Sequence, residues 1–174
     1  MHAIRIEQLG GPDVLLYEAL PVPEPGPDEL LVKLGAIGIN FIDVYYRTGH
    51  YKTDLPLTPG LEGAGTVQSA GKNVTGFKAG DRVAWASAMG SYAEYAIVPA
   101  ARAVPVPVGV NDQHAAAAML QGMTAQYLSH TTYPIQDGDT VLIHAGAGGV
   151  GLLLTQMAKA RGGVLIVDAD GDGN

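Results

Sequence analysis

The chain has 174 residues, 47% of them hydrophobic and 16% charged, which is enough for one ordinary domain or for one domain and the start of a second. Its formal net charge of -7 and its scattered Lys and Arg residues argue against nucleic acid as a partner. It contains no cysteine, which excludes disulfides, thiolate metal ligands and thiol nucleophiles and favours a cytoplasmic location. We expect neither secretion nor a membrane span, because MHAIRIEQLG has no apolar signal core and no apolar run approaches ~20 residues.

The amino-terminal part of the chain, up to about Ala118, predicts β-structure. Short segments of alternating polar and apolar residues, separated by Gly and Pro, are typical of a sandwich or barrel. The predicted strands are AIRIEQL, ELLVKLGAIGI, GAGTVQSAG, DRVAWAS, SYAEYAIVP and ARAVPVP. The Pro-rich PVPEPGPDE, residues 21–29, predicts a connecting loop.

The composition changes near Asn111. The stretch NDQHAAAAMLQGMTAQYLSHTTYPI predicts Ala-rich helical runs that are interrupted at Gly122 and end before Pro134. Beyond it, VLIH predicts a buried strand, GLLLTQMAKARGG a helix stopped by its two glycines, and VLIVDAD a second, parallel strand. We therefore divide the chain into a barrel domain (1–118), linking helices (119–139) and the start of a dinucleotide-binding domain (140–174).

The glycine-rich turn before the last predicted helix indicates nucleotide binding. Gly146, Gly148 and Gly151 satisfy G-x-G-x-x-G between a strand and a helix. Such a turn brings backbone close to a pyrophosphate and directs the N–H groups of the helix at it. The candidate cofactor-binding residues here are Gly146, Gly148, Gly149, Val150 and Gly151. The alternative interpretation is a packing turn of the same composition.

Asp168 lies at the end of the last predicted strand, 22 residues after Gly146. A carboxylate at that place accepts hydrogen bonds from the adenosine ribose and repels a 2'-phosphate, which favours NAD. The alternative is a solvated acid in a polar terminal loop. Asp168, Asp170, Asp172 and Gly173 also match the opening of an EF-hand calcium loop, but the bidentate Glu of its twelfth position is missing, so a flexible acidic end is the preferred interpretation.

Six motifs follow one another in a fixed order: GAIGINFIDVYYRTGHY, LPLTPGLEGAGTV, GDRVAW, GSYAEY, QGMTAQYL and HAGAGGVG. Together they resemble the medium-chain dehydrogenase/reductase superfamily and, within it, the zinc-independent, zeta-crystallin-like quinone oxidoreductase group. The resemblance implies a fold of the class β plus α/β. It consists of a GroES-like β-barrel domain followed by an incomplete Rossmann, doubly wound βαβ unit.

The resemblance also implies that no zinc is bound. The zinc-dependent branch of the superfamily has a cysteine where Asn40 stands and a histidine where Leu61 stands. The five histidines of this chain show no ligand spacing, so we expect no metal site. Glu62, which follows Leu61, is expected to be structural, and GDRVAW and GSYAEY are expected to be scaffold.

The activity implied by the resemblance is hydride transfer from NADPH to a quinone or another conjugated carbonyl. The implied catalytic residues are Asn40, as a polar contact in the cleft, and Tyr45 or Tyr46, as a hydrogen-bond donor to the acceptor carbonyl. Thr124 is implied to contact the nicotinamide carboxamide or the adjoining ribose. The structural alternatives are a turn former for Asn40 and half-buried packing for the tyrosines.

The last segment, VLIVDADGDGN, departs from the pattern of the group, so the cofactor choice stays open between NADPH by resemblance and NAD by Asp168. Only the first βαβ unit of a dinucleotide fold is present, and we expect a truncated chain that lacks the usual homodimer interface of the family. The sequence leaves open whether the isolated chain is an active enzyme. Two other functions remain: a non-catalytic GroES-like fragment or binding module, and an enone or enoyl-thioester reductase.

Overall fold

The computed structural model describes residues 1–168, and the chain divides into two compact units between Met119 and Leu120. The first unit is built mainly from antiparallel strands. Its strands are β1 (His2–Arg5), β2 (Leu16–Ala19), β3 (Glu29–Ile37), β4 (Glu62–Ala70), β5 (Arg82–Ala86), β6 (Tyr95–Pro99) and β7 (Ala103–Pro105). β1 and β2 form a two-stranded sheet, and the other five form a sheet in the order β6-β3-β4-β5-β7. The predicted β-structure of the amino-terminal part is confirmed.

The β3–β4 pair of the five-stranded sheet is irregular. The register between β3 and β4 shifts at Leu31/Val32 and again at Leu34/Ala36, and such bulges increase the local twist of a strand. Every second residue at the start of β3 is buried, as a half-buried strand requires. The core consists of Leu30, Val32, Val67, Val83, Trp85, Ala88, Ala96 and Val98.

A short helix, α1 (Phe41–Thr48), follows β3. The sequence analysis predicts neither this helix nor β2. α1 begins after Asn40, whose backbone N–H donates to Asp43 Oδ2 at 2.9 Å. It ends at Gly49, which has the left-handed φ of 81° that glycine adopts without steric cost.

A longer helix, α2 (Asp112–Tyr127), continues into a π-helical turn at Leu128–Thr132. The predicted interruption at Gly122 is wrong, because α2 runs through that residue without a break. One glycine inside a helix costs only about 1 kcal/mol relative to alanine. The alanines of this stretch favour the helix enough to offset that cost.

The second unit contains β8 (Thr140–Ile143), α3 (Gly149–Ala160) and β9 (Val164–Val167). The two strands pair in parallel, with Thr140 opposite Val164, and Ile135, Ile143 and Ala158 form the core. The predicted strand–helix–strand unit is therefore confirmed. The predicted glycine stop of α3 is also confirmed, since the helix ends just before Gly162, which has a φ of 83°.

The acidic end of the chain falls mostly beyond what the structure describes. β9 ends at Val167, two residues before the first undescribed position. The predicted extension of the last strand to residue 170 and the partial calcium-loop match at Asp170, Asp172 and Gly173 lie outside the described residues.

Candidate functional site

Asn40 lies where β3 passes into α1 and is only 8% exposed. Its side-chain Nδ2 donates to Glu62 Oε1 at 2.7 Å. Glu62 is fully buried at the start of β4, and a Cβ atom at Gly38 would overlap its carboxylate. Gly38 therefore provides the space in which Glu62 fixes the orientation of the Asn40 amide.

Asp43 holds the other side of Asn40. It is 7% exposed, and its Oδ2 accepts both the Asn40 backbone N–H at 2.9 Å and the Tyr92 hydroxyl at 2.9 Å. Burial raises the pKa of the Asp43 carboxyl above its ordinary value of 3.8, although these two hydrogen bonds oppose the shift. Burial and the adjacent charge of Asp43 raise the pKa of the Tyr92 hydroxyl, which therefore stays protonated and donates.

Glu62, Asn40, Asp43 and Tyr92 thus form one hydrogen-bonded chain of side chains, which we call the Asn40 network. Sequence reasoning misses two of its members, Asp43 and Tyr92. It assigns Tyr92 to a scaffold strand, whereas Tyr92 lies in a bend before β6 and bonds Asp43 across 49 residues of sequence. The available signal is the spacing of Asn40 and Asp43, because an acidic residue three positions after an N-cap residue indicates a capping box.

Tyr45 lies at the centre of a set of aromatic rings. Its ring centroid is 5.3 Å from that of Phe41, 5.0 Å from His50 and 5.3 Å from Tyr51. Tyr46 joins the set through Tyr51, at 5.6 Å. We call Phe41, Tyr45, Tyr46, His50 and Tyr51 the aromatic cluster. α1 and its N-cap therefore bring the three candidate catalytic residues, Asn40, Tyr45 and Tyr46, onto one element.

In the second unit, the glycine turn between β8 and α3 is tightly packed. The left-handed residue of the turn is Ala145, with a φ of 51°, and the Gly148 N–H donates back to its carbonyl at 2.9 Å. A Cβ at Gly151 would lie 2.6 Å from the Gly146 Cα and would overlap the Ala145 carbonyl oxygen, and one at Gly146 would overlap Val167. Gly151 is thus required by close backbone approach, and Gly146 by the nearby Val167 side chain.

The start of α3 fits the pyrophosphate of a dinucleotide. Gly148 is its N-cap and makes no side-chain capping bond, so the first-turn N–H groups of Gly149, Val150 and Gly151 remain for a ligand. A Cβ at Gly149 would overlap the side-chain amide of Gln121, which sequence reasoning does not single out. Small residues therefore keep this helix end accessible to backbone–phosphate contacts.

Asp168 lies beside this turn. Its backbone N–H donates to the Ile143 carbonyl at 3.0 Å, and its carbonyl accepts the Gly146 N–H at 2.7 Å. Its carboxylate Oδ2 is 3.1 Å from His144 Nδ1. The structure therefore brings the predicted ribose-binding carboxylate next to the predicted phosphate-binding turn.

Thr124 lies within α2, where its hydroxyl donates to the Leu120 carbonyl at 2.7 Å. Because this bond uses the hydroxyl proton, Thr124 has only oxygen lone pairs to offer a ligand.

Within residues 1–168, no group of three or more histidine or carboxylate side chains is placed to hold a metal ion. Nor does any helix in that range combine the length and apolar character that crossing a bilayer requires.

Comparison with known proteins gives the class of protein that the chain resembles. The alcohol dehydrogenase GroES-like domain matches residues 26–108. With this domain followed by a βαβ unit and its glycine turn, the chain is similar to the medium-chain dehydrogenase/reductase superfamily. The predicted fold, a GroES-like β-barrel followed by a Rossmann-type unit, is confirmed.

Within the superfamily, the chain is similar to quinone oxidoreductases. It is 48% identical over 165 residues to the quinone oxidoreductase of Pseudomonas aeruginosa, which covers 94% of this chain and 51% of that protein. It is 39% identical to a 2-haloacrylate reductase of a Burkholderia species, over 94% of this chain and 51% of that protein. A mycobacterial protein solved in complex with NADPH matches with a TM-score of 0.93 at 50% identity, covering 96% of this chain and 52% of that one. The chain spans about half the length of the curated relatives it matches.

Proposed function

We propose that this chain provides the barrel domain and the first dinucleotide-binding unit of an NADPH-dependent quinone reductase, which transfers hydride to a quinone or a conjugated carbonyl without zinc. The observation that carries the proposal is the turn from β8 to α3, where close packing at Gly146 and Gly151 leaves a helix N-terminus for a pyrophosphate. The similarity to quinone oxidoreductases and to an NADPH complex supports the same activity.

When bound, NADPH supplies the hydride, so the residues of the protein have only to position the acceptor and stabilise its developing charge. The aromatic cluster offers a flat acceptor ring an apolar surface, since Phe41 is 72% exposed beside Tyr45. We assign to Tyr45, with Tyr46 as the alternative, the hydrogen bond to the acceptor oxygen. The Asn40 network holds the polar contact at the beginning of the same helix.

NADPH is our preferred cofactor, although Asp168 taken alone favours NAD. The solved complex of a similar protein with NADPH supports the first choice. The carboxylate of Asp168 is within hydrogen-bond distance of His144 Nδ1, so part of its hydrogen-bonding capacity is already used.

Three features stay predictions: the division of the chain into 1–118, 119–139 and 140–174, a cytoplasmic location, and a homodimer of the family type.

The proposal is tested by titrating the purified chain with NADPH, followed by nicotinamide fluorescence, and by measuring NADPH oxidation with a benzoquinone. We expect NADPH to bind wild type and to bind Gly148→Leu more weakly, because the new side chain would occupy the place of the phosphate. Binding without quinone-dependent oxidation would favour the non-catalytic module. Absence of both would refute an autonomous enzyme.

A second acceptor class has its own support. One similar protein is a 2-haloacrylate reductase, whose substrate name denotes an alkene conjugated to a carboxylate. Assays with 2-chloroacrylate, an enone and an enoyl thioester separate this reaction from quinone reduction, because each has a different acceptor but consumes the same NADPH.

A further inference from the structure

Two polar side chains meet just beyond the carboxyl ends of β8 and β9. His144 is the residue after β8, Asp168 is the residue after β9, and the two strands pair in parallel with Ile143 opposite Val167. The Asp168 backbone is fixed on both sides, since its N–H donates to the Ile143 carbonyl at 3.0 Å and its carbonyl accepts the Gly146 N–H at 2.7 Å. Ligands of parallel α/β sheets bind beyond this end of the strands.

The imidazole of His144 and the carboxylate of Asp168 are joined by a hydrogen bond. The distance from His144 Nδ1 to Asp168 Oδ2 is 3.1 Å. An ionised carboxylate only accepts hydrogen bonds, so the Nδ1–H group is the donor. The Asp168 side chain is 10% exposed and the His144 side chain 65% exposed. His144 is therefore the outer member of the pair, and it occupies one accepting position of the carboxylate.

This hydrogen bond bears on the choice between the two nicotinamide cofactors. A free carboxylate at this place accepts a hydrogen bond from the ribose 2'-hydroxyl of NADH and repels the 2'-phosphate of NADPH. The bond from His144 opposes both effects. It takes up accepting capacity that the ribose would use, and its N–H hydrogen places a partial positive charge beside the carboxylate. With His144 in place, the site should discriminate less against NADPH than Asp168 alone predicts.

We propose that His144 is a positioning residue that sets the cofactor preference of this chain. By donating from Nδ1 to Asp168 Oδ2, it withholds that oxygen from the ribose and lets the site accept NADPH. The inference rests on the proposed function, because it needs a dinucleotide at the glycine turn. It accounts for an acidic residue at this place in a chain that is similar to a protein solved with NADPH.

The test is a fluorescence titration of the purified 174-residue chain with NADPH and with NADH, and the quantity compared is the ratio of the two dissociation constants. His144→Leu removes the donor, so the Kd for NADPH relative to NADH should rise about tenfold. His144→Asn is the matched control, because the asparagine amide places an N–H at about the position of Nδ1–H and should keep the wild-type ratio. Circular dichroism melts establish that each variant is folded. An unchanged ratio in folded His144→Leu would overturn the proposal.

A double-mutant cycle establishes whether His144 acts through Asp168. In the Asp168→Asn background, His144→Leu should change the ratio by less than about twofold, because no charged carboxylate remains for the imidazole to engage. An equal, tenfold change in both backgrounds would mean that His144 contacts the 2'-phosphate directly, and it would overturn the proposal. Wild type that binds neither nucleotide would refute the proposed function and this inference with it. Wild type that binds both, with the same ratio as His144→Leu, would refute this inference alone.

Discussion

The close packing of the glycine turn against α3 can be tested with a single methyl group. In Gly151→Ala, the new Cβ would lie 2.6 Å from the Gly146 Cα and 2.8 Å from its carbonyl carbon, besides overlapping the Ala145 carbonyl oxygen. All of these are backbone atoms, which cannot rotate away as a flexible side chain does. The turn or the start of α3 must therefore shift.

Two opposing contributions set the size of the effect. Alanine in a helix interior is favoured over glycine by about 1 kcal/mol. Overpacking costs about 1–3 kcal/mol, and contacts with backbone belong at the upper end of that range. We expect Gly151→Ala to lower the free energy of unfolding by about 2 kcal/mol, as the difference of these contributions.

Urea unfolding followed by far-UV circular dichroism measures this change, with an expected fall in the midpoint of about 1 M. Gly148→Ala is the graded control, because its Cβ would meet a single atom, the Ala145 carbonyl oxygen, at 3.1 Å. Its loss of stability should be clearly smaller. Gly76→Ala, where a Cβ meets nothing within 4 Å, should be close to neutral. If Gly151→Ala matched or exceeded wild type in stability, the close-approach argument would be refuted.

Three further predictions concern charge and chemistry. Burial raises the folded-state pKa of Asp43 above 3.8, so the folded protein takes up this proton first and Asp43 contributes stability as the pH falls through that raised value. Wild type should therefore gain stability relative to Asp43→Asn when urea unfolding is repeated from neutral pH towards pH ~4, and parallel curves for the two proteins would exclude the shift. If the chain reduces quinones, Tyr45→Phe should lower kcat/KM by about tenfold to a hundredfold with NADPH affinity unchanged, whereas an equal loss in cofactor affinity would point to a structural role. Asp168→Asn should improve binding of NADPH relative to NADH by about 1 kcal/mol, and an unchanged ratio in fluorescence titrations would mean that this carboxylate does not face the 2'-position.

The parts of the fold that sequence alone predicts are those with a local and repeated pattern. Alternation in ELLVKLGAIGI predicts β3, and the succession of apolar run, glycine turn, helix and apolar run predicts the βαβ unit. α1 is missed because FIDVYYRT contains mostly β-branched and aromatic residues of modest helix propensity. β2 is missed because its only support is pairing with β1, across a loop whose length no local rule specifies.

The candidate site likewise has residues that the sequence predicts and residues that it does not. The sequence predicts the glycine turn because its chemistry depends on consecutive backbone groups. The sequence also predicts Asn40 and Tyr45, through the resemblance of the motif that contains them. Tyr92 is not readable, since its bond to Asp43 depends on a contact between distant segments.

The brevity of α1 has a consequence for engineering. A helix of eight residues is too short to persist in water by itself, so its direction is set by what holds its first turn. Here that hold comes from β4 through Glu62 and from the bend before β6 through Tyr92. Grafting residues 40–51 onto another barrel would therefore transfer the aromatic rings without their alignment unless both of these distant anchors travelled with them.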